Sequence, residues 1–94
     1  MSLDYRVLPI VDMYDLEASL KEAYNEEFDL ARLFYDYDDM VNEACQEYHF
    51  KADIESSPMA NILEEDELRQ LKLVNTYLEL YFPNYSSIMV YSHY

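Results

Sequence analysis

Residues 29–49, DLARLFYDYDDMVNEACQEYH, decide how the chain is read. Leu30, Leu33, Phe34, Tyr37, Val41, Ala44 and Tyr48 recur at steps of three and four, the clearest amphipathic helical pattern in the sequence. That spacing predicts one helix of about 29 to 49. Asp36 marks where a break would fall, because aspartate favours caps over helix interiors. On the same helix Asp36, Asp39, Glu43 and Glu47 fall at steps of three, four and four. They would form an acidic stripe beside the apolar face, roughly 16 Å long at about 1.5 Å of rise per residue. Each exposed like-charged pair at this spacing costs about 0.2–0.5 kcal/mol. Eighteen residues separate Arg32 from Lys51 without one cation among them, so nothing local relieves the repulsion.

Working outward, DYRVLPIV at residues 4–11 is rich in strand formers, with Pro9 suited to an edge or a strand end. Asp12 can cap a helix of about 13 to 25, with Asp15 near the positive end of its dipole and Met13, Leu16, Leu20, Ala23 and Tyr24 at helical spacing. Toward the C-terminus, Ser57 and Pro58 read as a cap and a first helical residue. The acidic run Glu64 to Glu67 then suits the start of a helix running to about Phe82, which Pro83 stops. Leu68, Leu71, Val74, Leu78 and Tyr81 would be its inward stripe. SSIMVYSHY, residues 86–94, predicts a short strand able to pair with residues 4–11. The expected fold is a single α+β domain over residues 1–94, mostly α. It has about three helices, and short N- and C-terminal strands that can pair.

Composition narrows the function. Twenty acids face six lysines and arginines, giving a net charge of −14 and a pI near 4.1. Such an excess works against compaction but speeds encounter with cationic partners. A hydrophobic fraction of 51% and eleven tyrosines argue for a folded chain rather than a disordered acidic one. The absence of glycine excludes phosphate-cradling Gly-rich loops. Six scattered cations cannot neutralise a nucleic-acid backbone, so direct nucleic-acid binding is excluded as well. No leader-like segment, no membrane-length apolar run and a single cysteine, Cys45, lead us to expect a soluble cytoplasmic protein with no membrane association.

Catalytic and metal chemistry find little support. From Asp36, an EF-hand loop would place Met40 and Val41 where a ligand and a glycine belong. Cys45 and His49 are four apart, on one face if helical, but two ligands do not make a zinc site. No metal, no cofactor and no enzymatic activity are expected.

The acids therefore point to a protein partner. Carboxylates about 5–6 Å apart on a helix approximate the spacing of phosphates along a DNA strand. Asp36, Asp39, Glu43 and Glu47, then Glu64, Glu65 and Glu67, are the candidate phosphate surrogates, with Tyr35 as an aromatic contact. Glu17, Glu22, Glu26 and Glu27 would extend the surface. In length, charge, tyrosine content and the acidic runs YDYDDMVNE and EEDE, the chain resembles the small acidic inhibitors that bacteriophages and mobile elements use against host nucleases, the anti-restriction and anti-CRISPR proteins among them. The resemblance is compositional. It implies a DNA-mimicking inhibitor of a basic nucleic-acid-binding protein, in a class with many dimers, and carries over no site residue. The alternative is an acidic adaptor or antitoxin-like protein that binds a basic partner without imitating DNA, through an apolar sheet edge at Ile88, Val90 and Tyr91.

Overall fold

A computed structural model describes residues 7–34, 45–54 and 58–91. Strand β1 (Ile10–Asp12) runs directly into helix α1 (Met13–Tyr24), and Asp12 serves both. Its Oδ1 accepts the N–H groups of Tyr14 at 2.9 Å and Asp15 at 3.1 Å, satisfying two donors of the first turn. The helix ends at Asn25, whose φ of 56° places it in the left-handed region while its N–H bonds to Lys21 O at 2.7 Å. Glycine usually fills this position, and in a glycine-free chain asparagine is the next best tolerated residue.

A short helix α2 (Leu30–Phe34) follows, then strand β2 (Cys45–Tyr48), a 3₁₀ turn (Pro58–Asn61), the long helix α3 (Glu65–Tyr81) and strand β3 (Ile88–Tyr91). The described elements are thus three α-helices and a three-stranded sheet, an α+β fold that is mostly α, as expected. The terminal strands do pair. β3 lies at the centre, parallel to β1 with Val11 opposite Val90, and antiparallel to β2 with Gln46 opposite Val90. Ile88 and Val90 are fully buried on the face that meets Leu16 and Leu20 of α1, Leu30 and Leu33 of α2, and Leu71, Val74 and Leu78 of α3 in one core. Phe28, Phe50 and Leu63 close that core from the connections.

Three expectations are corrected. The one helix expected over 29–49 does not hold across that span: residues 30–34 are helical, residues 45–48 are a strand, and residues 35–44, with Tyr37, Val41 and Ala44 of the expected apolar stripe, lie outside the described residues. The reason lies in β3. A buried central strand needs backbone partners on both sides, and β2 supplies the second set. Tyr48 faces inward in either conformation. Here it stacks on Phe34, with ring centroids 4.1 Å apart, and donates its hydroxyl to Asn75 Oδ1 on α3. Burial pushes its phenol well above the usual range. The apolar edge expected at Ile88, Val90 and Tyr91 is not available to a partner, because β3 is flanked on both sides. Finally, Tyr81 is 64% exposed rather than inward, and Ala23 is exposed on α1. The Ser57 cap lies outside the described residues; Pro58, expected as a first helical residue, opens a 3₁₀ turn.

Two substitutions test this account. Asn25→Gly should leave stability within about 0.5 kcal/mol of the parent, while Asn25→Ala should cost about 1 kcal/mol in urea unfolding, because only the second puts a plain Cβ at positive φ. Ser87 is buried and its hydroxyl has no hydrogen-bond partner among the described residues, so Ser87→Ala should raise stability by about 1 kcal/mol. A loss of stability in Ser87→Ala would show that the hydroxyl is satisfied in solution.

Candidate partner-binding surface

Two acidic segments distant in sequence meet on one surface. The connection after α1 carries Glu26 and Glu27, and the buried ring of Phe28 pins it to the core. Helix α3 opens on Glu64 to Glu67, which suits the positive end of its dipole. Arg69, one turn further along, joins the two segments. Its Nη1 and Nη2 donate to Glu26 at 3.0 and 2.6 Å, a bidentate pair, and its Nε donates to Asp66 at 3.0 Å. Gln70 adds a bond to Glu27 O at 2.8 Å. Arg32 of α2 bonds Glu67 Oε2 at 3.1 Å and Ile62 O at 3.3 Å, and Lys21 lies 2.5 Å from Glu27. Four of the six carboxylates therefore share three cations, while Glu64 and Glu65 have no ion pair among the described residues; even with Lys72 nearby the surface stays acidic.

These contacts set the proton affinities. The hydrogen bonds from Arg69 hold the Glu26 carboxyl below its usual value, and the bonds to Glu26 and Asp66 hold the Arg69 guanidinium even more firmly protonated. Glu17 behaves oppositely. It sits on α1 and accepts the N–H of Leu30 at 2.9 Å, so it satisfies the start of α2 instead of pairing with Lys21 one turn away. Its partial burial raises its pKa; the Leu30 bond opposes this, and the charges of Asp29 and Glu27 add to the rise.

The residues singled out from the sequence fare unequally. Tyr35, Asp36, Asp39 and Glu43 lie outside the described residues. Glu47 lies on β2, not on a helix, so the stripe does not reach it as a helical face. Its Oε2 is 3.1 Å from His49 Nε2. Glu64 and Glu65 stand exposed at the mouth of α3. Glu67 is engaged from two directions, by Arg32 and by the N–H of Glu64 at 3.0 Å, and serves to hold the helix start together. Glu26 and Asp66 belong to the same surface. Asp66 was legible as a member of the acidic run Glu64 to Glu67, but the reach of Arg69 to Glu26 across 43 residues had no local signal.

Along this face of α3 runs an open groove of about 670 Å³, lined by Glu64, Glu65, Asp66, Leu68, Arg69 and Lys72. Leu68 supplies apolar surface and the acids supply charge, a mixture suited to the stem and head of a long cationic side chain. Among the described residues, no three His, Cys, Asp or Glu side chains converge as a metal site, and no helix is long and apolar enough to cross a membrane.

The two carboxyl shifts give opposite pH behaviour. Glu17, with its folded pKa raised, contributes stability that is present below the usual 4.5 and lost as pH rises through the folded value. Glu17→Gln keeps an acceptor for Leu30 N–H and cannot ionise. It should therefore unfold at higher temperature than the parent at pH 7, with the gap closing toward pH 4.5. Glu26 contributes stability above 4.5 that is lost as pH falls. In Arg69→Met its carboxyl, followed by carbon NMR, should titrate closer to 4.5 than in the parent; an unmoved titration would mean that the bidentate pair is not formed in solution.

Comparison of the chain with protein families, with curated proteins and with solved structures finds no match, so its function is read from its own residues.

Proposed function

We propose that the protein is a non-enzymatic inhibitor whose acidic surface occupies the nucleic-acid groove of a basic host protein, its carboxylates standing in for phosphates. The observation that carries this reading is the gathering of Glu26, Glu27 and Glu64 to Glu67 on one surface of a chain of net charge −14, where three cations hold four of them in place and leave Glu64 and Glu65 displayed. A surface with no partner gains nothing from such crowding, since exposed like charges oppose folding. A groove built to hold phosphates recovers that cost as attraction and as faster encounter. Within this reading Glu64 and Glu65 are displayed surrogates, Glu26 and Asp66 are surrogates held in position by Arg69, and Glu67 is a support. The basic partner and the host-cell cytoplasm as the place of action are parts of the same proposal.

The expected signature is a distributed charge surface. Affinity for the partner should fall at least about tenfold between about 50 and 200 mM salt. The double reversal Glu64→Lys/Glu65→Lys should weaken binding by about tenfold or more, while Glu65→Ala alone should change it by less than about threefold. Loss of binding on one alanine substitution at an exposed acid would instead indicate a single point contact.

A further inference from the structure

On the far part of α3 the surface changes character. Tyr77 and Tyr81, one turn apart, stack with centroids 4.4 Å apart and planes inclined by 32°. Tyr24 of α1 meets the edge of Tyr77 at 6.5 Å and donates its hydroxyl to Leu73 O at 3.3 Å, and Phe28 packs beyond it at 6.1 Å. The series runs from a buried ring, Phe28 at 5% exposure, to Tyr81 at 64%, with Leu80 beside it at 72%. It is therefore anchored in the core at one end and open at the other.

The ladder lies near charge at Tyr77. The Tyr77 hydroxyl is beside Ser19 of α1 as well as Tyr81. Asp15 and Glu22, at i−4 and i+3 from Ser19 on the same helix face, are both exposed, and no cation among the described residues forms an ion pair with either. An open aromatic face bordered by carboxylates recognises a planar cation. A guanidinium stacks on such a ring and is less strongly hydrated than an ammonium, so it loses less on leaving water.

We propose that the Tyr77–Tyr81 ladder, with Asp15 and Glu22 beside it, is an arginine-docking site: it receives a guanidinium side chain of the basic partner by stacking on Tyr81. The proposal rests on the reading of the protein as a binder of cationic partners and names a second, arginine-selective contact outside the Glu64–Glu67 surface. The occupant follows from charge complementarity. An uncharged apolar partner would leave Asp15 and Glu22 uncompensated, and a second copy would bring another −14 charge onto the same face.

The test uses the full chain and two fluorescent probes, nona-arginine and nona-lysine, followed by anisotropy at constant salt. Arginine binds acidic surfaces somewhat better than lysine in general, so the decisive quantity is the change in the Arg-to-Lys preference between variants. Tyr81→Leu keeps the apolar bulk and removes the ring, Tyr81→Phe keeps the ring, and both sit at an exposed position that folding tolerates. The preference for nona-arginine should fall by roughly two- to fivefold in Tyr81→Leu and be retained in Tyr81→Phe. The double variant Glu64→Lys/Glu65→Lys should weaken both probes alike and leave the preference intact. An unchanged preference in Tyr81→Leu, with both probes still bound, overturns the docking site and leaves the acidic-surface reading standing. Failure of the parent to bind either probe overturns both. Sedimentation equilibrium showing a dimer that Tyr81→Leu dissociates would assign the ladder to a second copy and overturn the proposal.

Discussion

Arg69 and Arg32 carry the constraint on which the acidic surface depends: carboxylates from two distant segments must be folded against their own repulsion. Arg69 ties Glu26 to Asp66, and Arg32 ties Glu67 and the carbonyl of Ile62 to α2. A salt bridge at an exposed site adds little stability by itself. Their weight here lies in placement, because both arginines sit where α2 and the connection after α1 must approach the start of α3. The apolar core drives that approach through Phe28, Leu30, Leu33 and Leu71, and the arginines make it tolerable for the charges that come with it.

This arrangement separates two jobs that a simple charge count merges. Glu17 and Glu67 are spent inside the fold, one satisfying the first N–H of α2 and the other closing the first turn of α3. Glu64 and Glu65 are displayed. Glu26 and Asp66 do both, held by Arg69 in a fixed geometry while remaining on the surface. A basic groove of the proposed kind would meet carboxylates whose positions are partly preorganised, which lowers the ordering cost of binding.

Much of the fold was legible in the sequence because its signals are local. Asp12 as a cap, the Met13–Leu16–Leu20 stripe, the acidic opening of α3 and the stop at Pro83 each depend on neighbours within a turn or two. Pairing of the terminal strands was legible from strand-forming composition, although not its parallel direction. Strand β2 was missed because CQEY is too short to distinguish a period of two from one of 3.6, and Tyr48 turns inward under both. What decides it is the demand of β3 for a second neighbour, a property of the assembled sheet. The same holds for the site. The richness in acids was plain, but nothing local in the sequence signals that Glu17 turns to Leu30 or that Arg69 reaches Glu26. Tyr81 continued the apolar spacing of Leu71, Val74 and Leu78, yet it falls beyond the edge of the core, where only Tyr77 of the described rings stacks on it and most of it stays exposed.

The measurement that bears most directly on the central claim is competition. The protein would be immobilised, exposed to nuclease-treated bacterial lysate, and washed with duplex DNA before any salt or denaturant. If the acidic surface stands in for phosphates, the captured partner is a nucleic-acid-binding protein and duplex DNA releases it. If the partner stays bound in excess duplex DNA and leaves only under denaturing conditions, the carboxylates are not imitating a nucleic-acid backbone and the account fails.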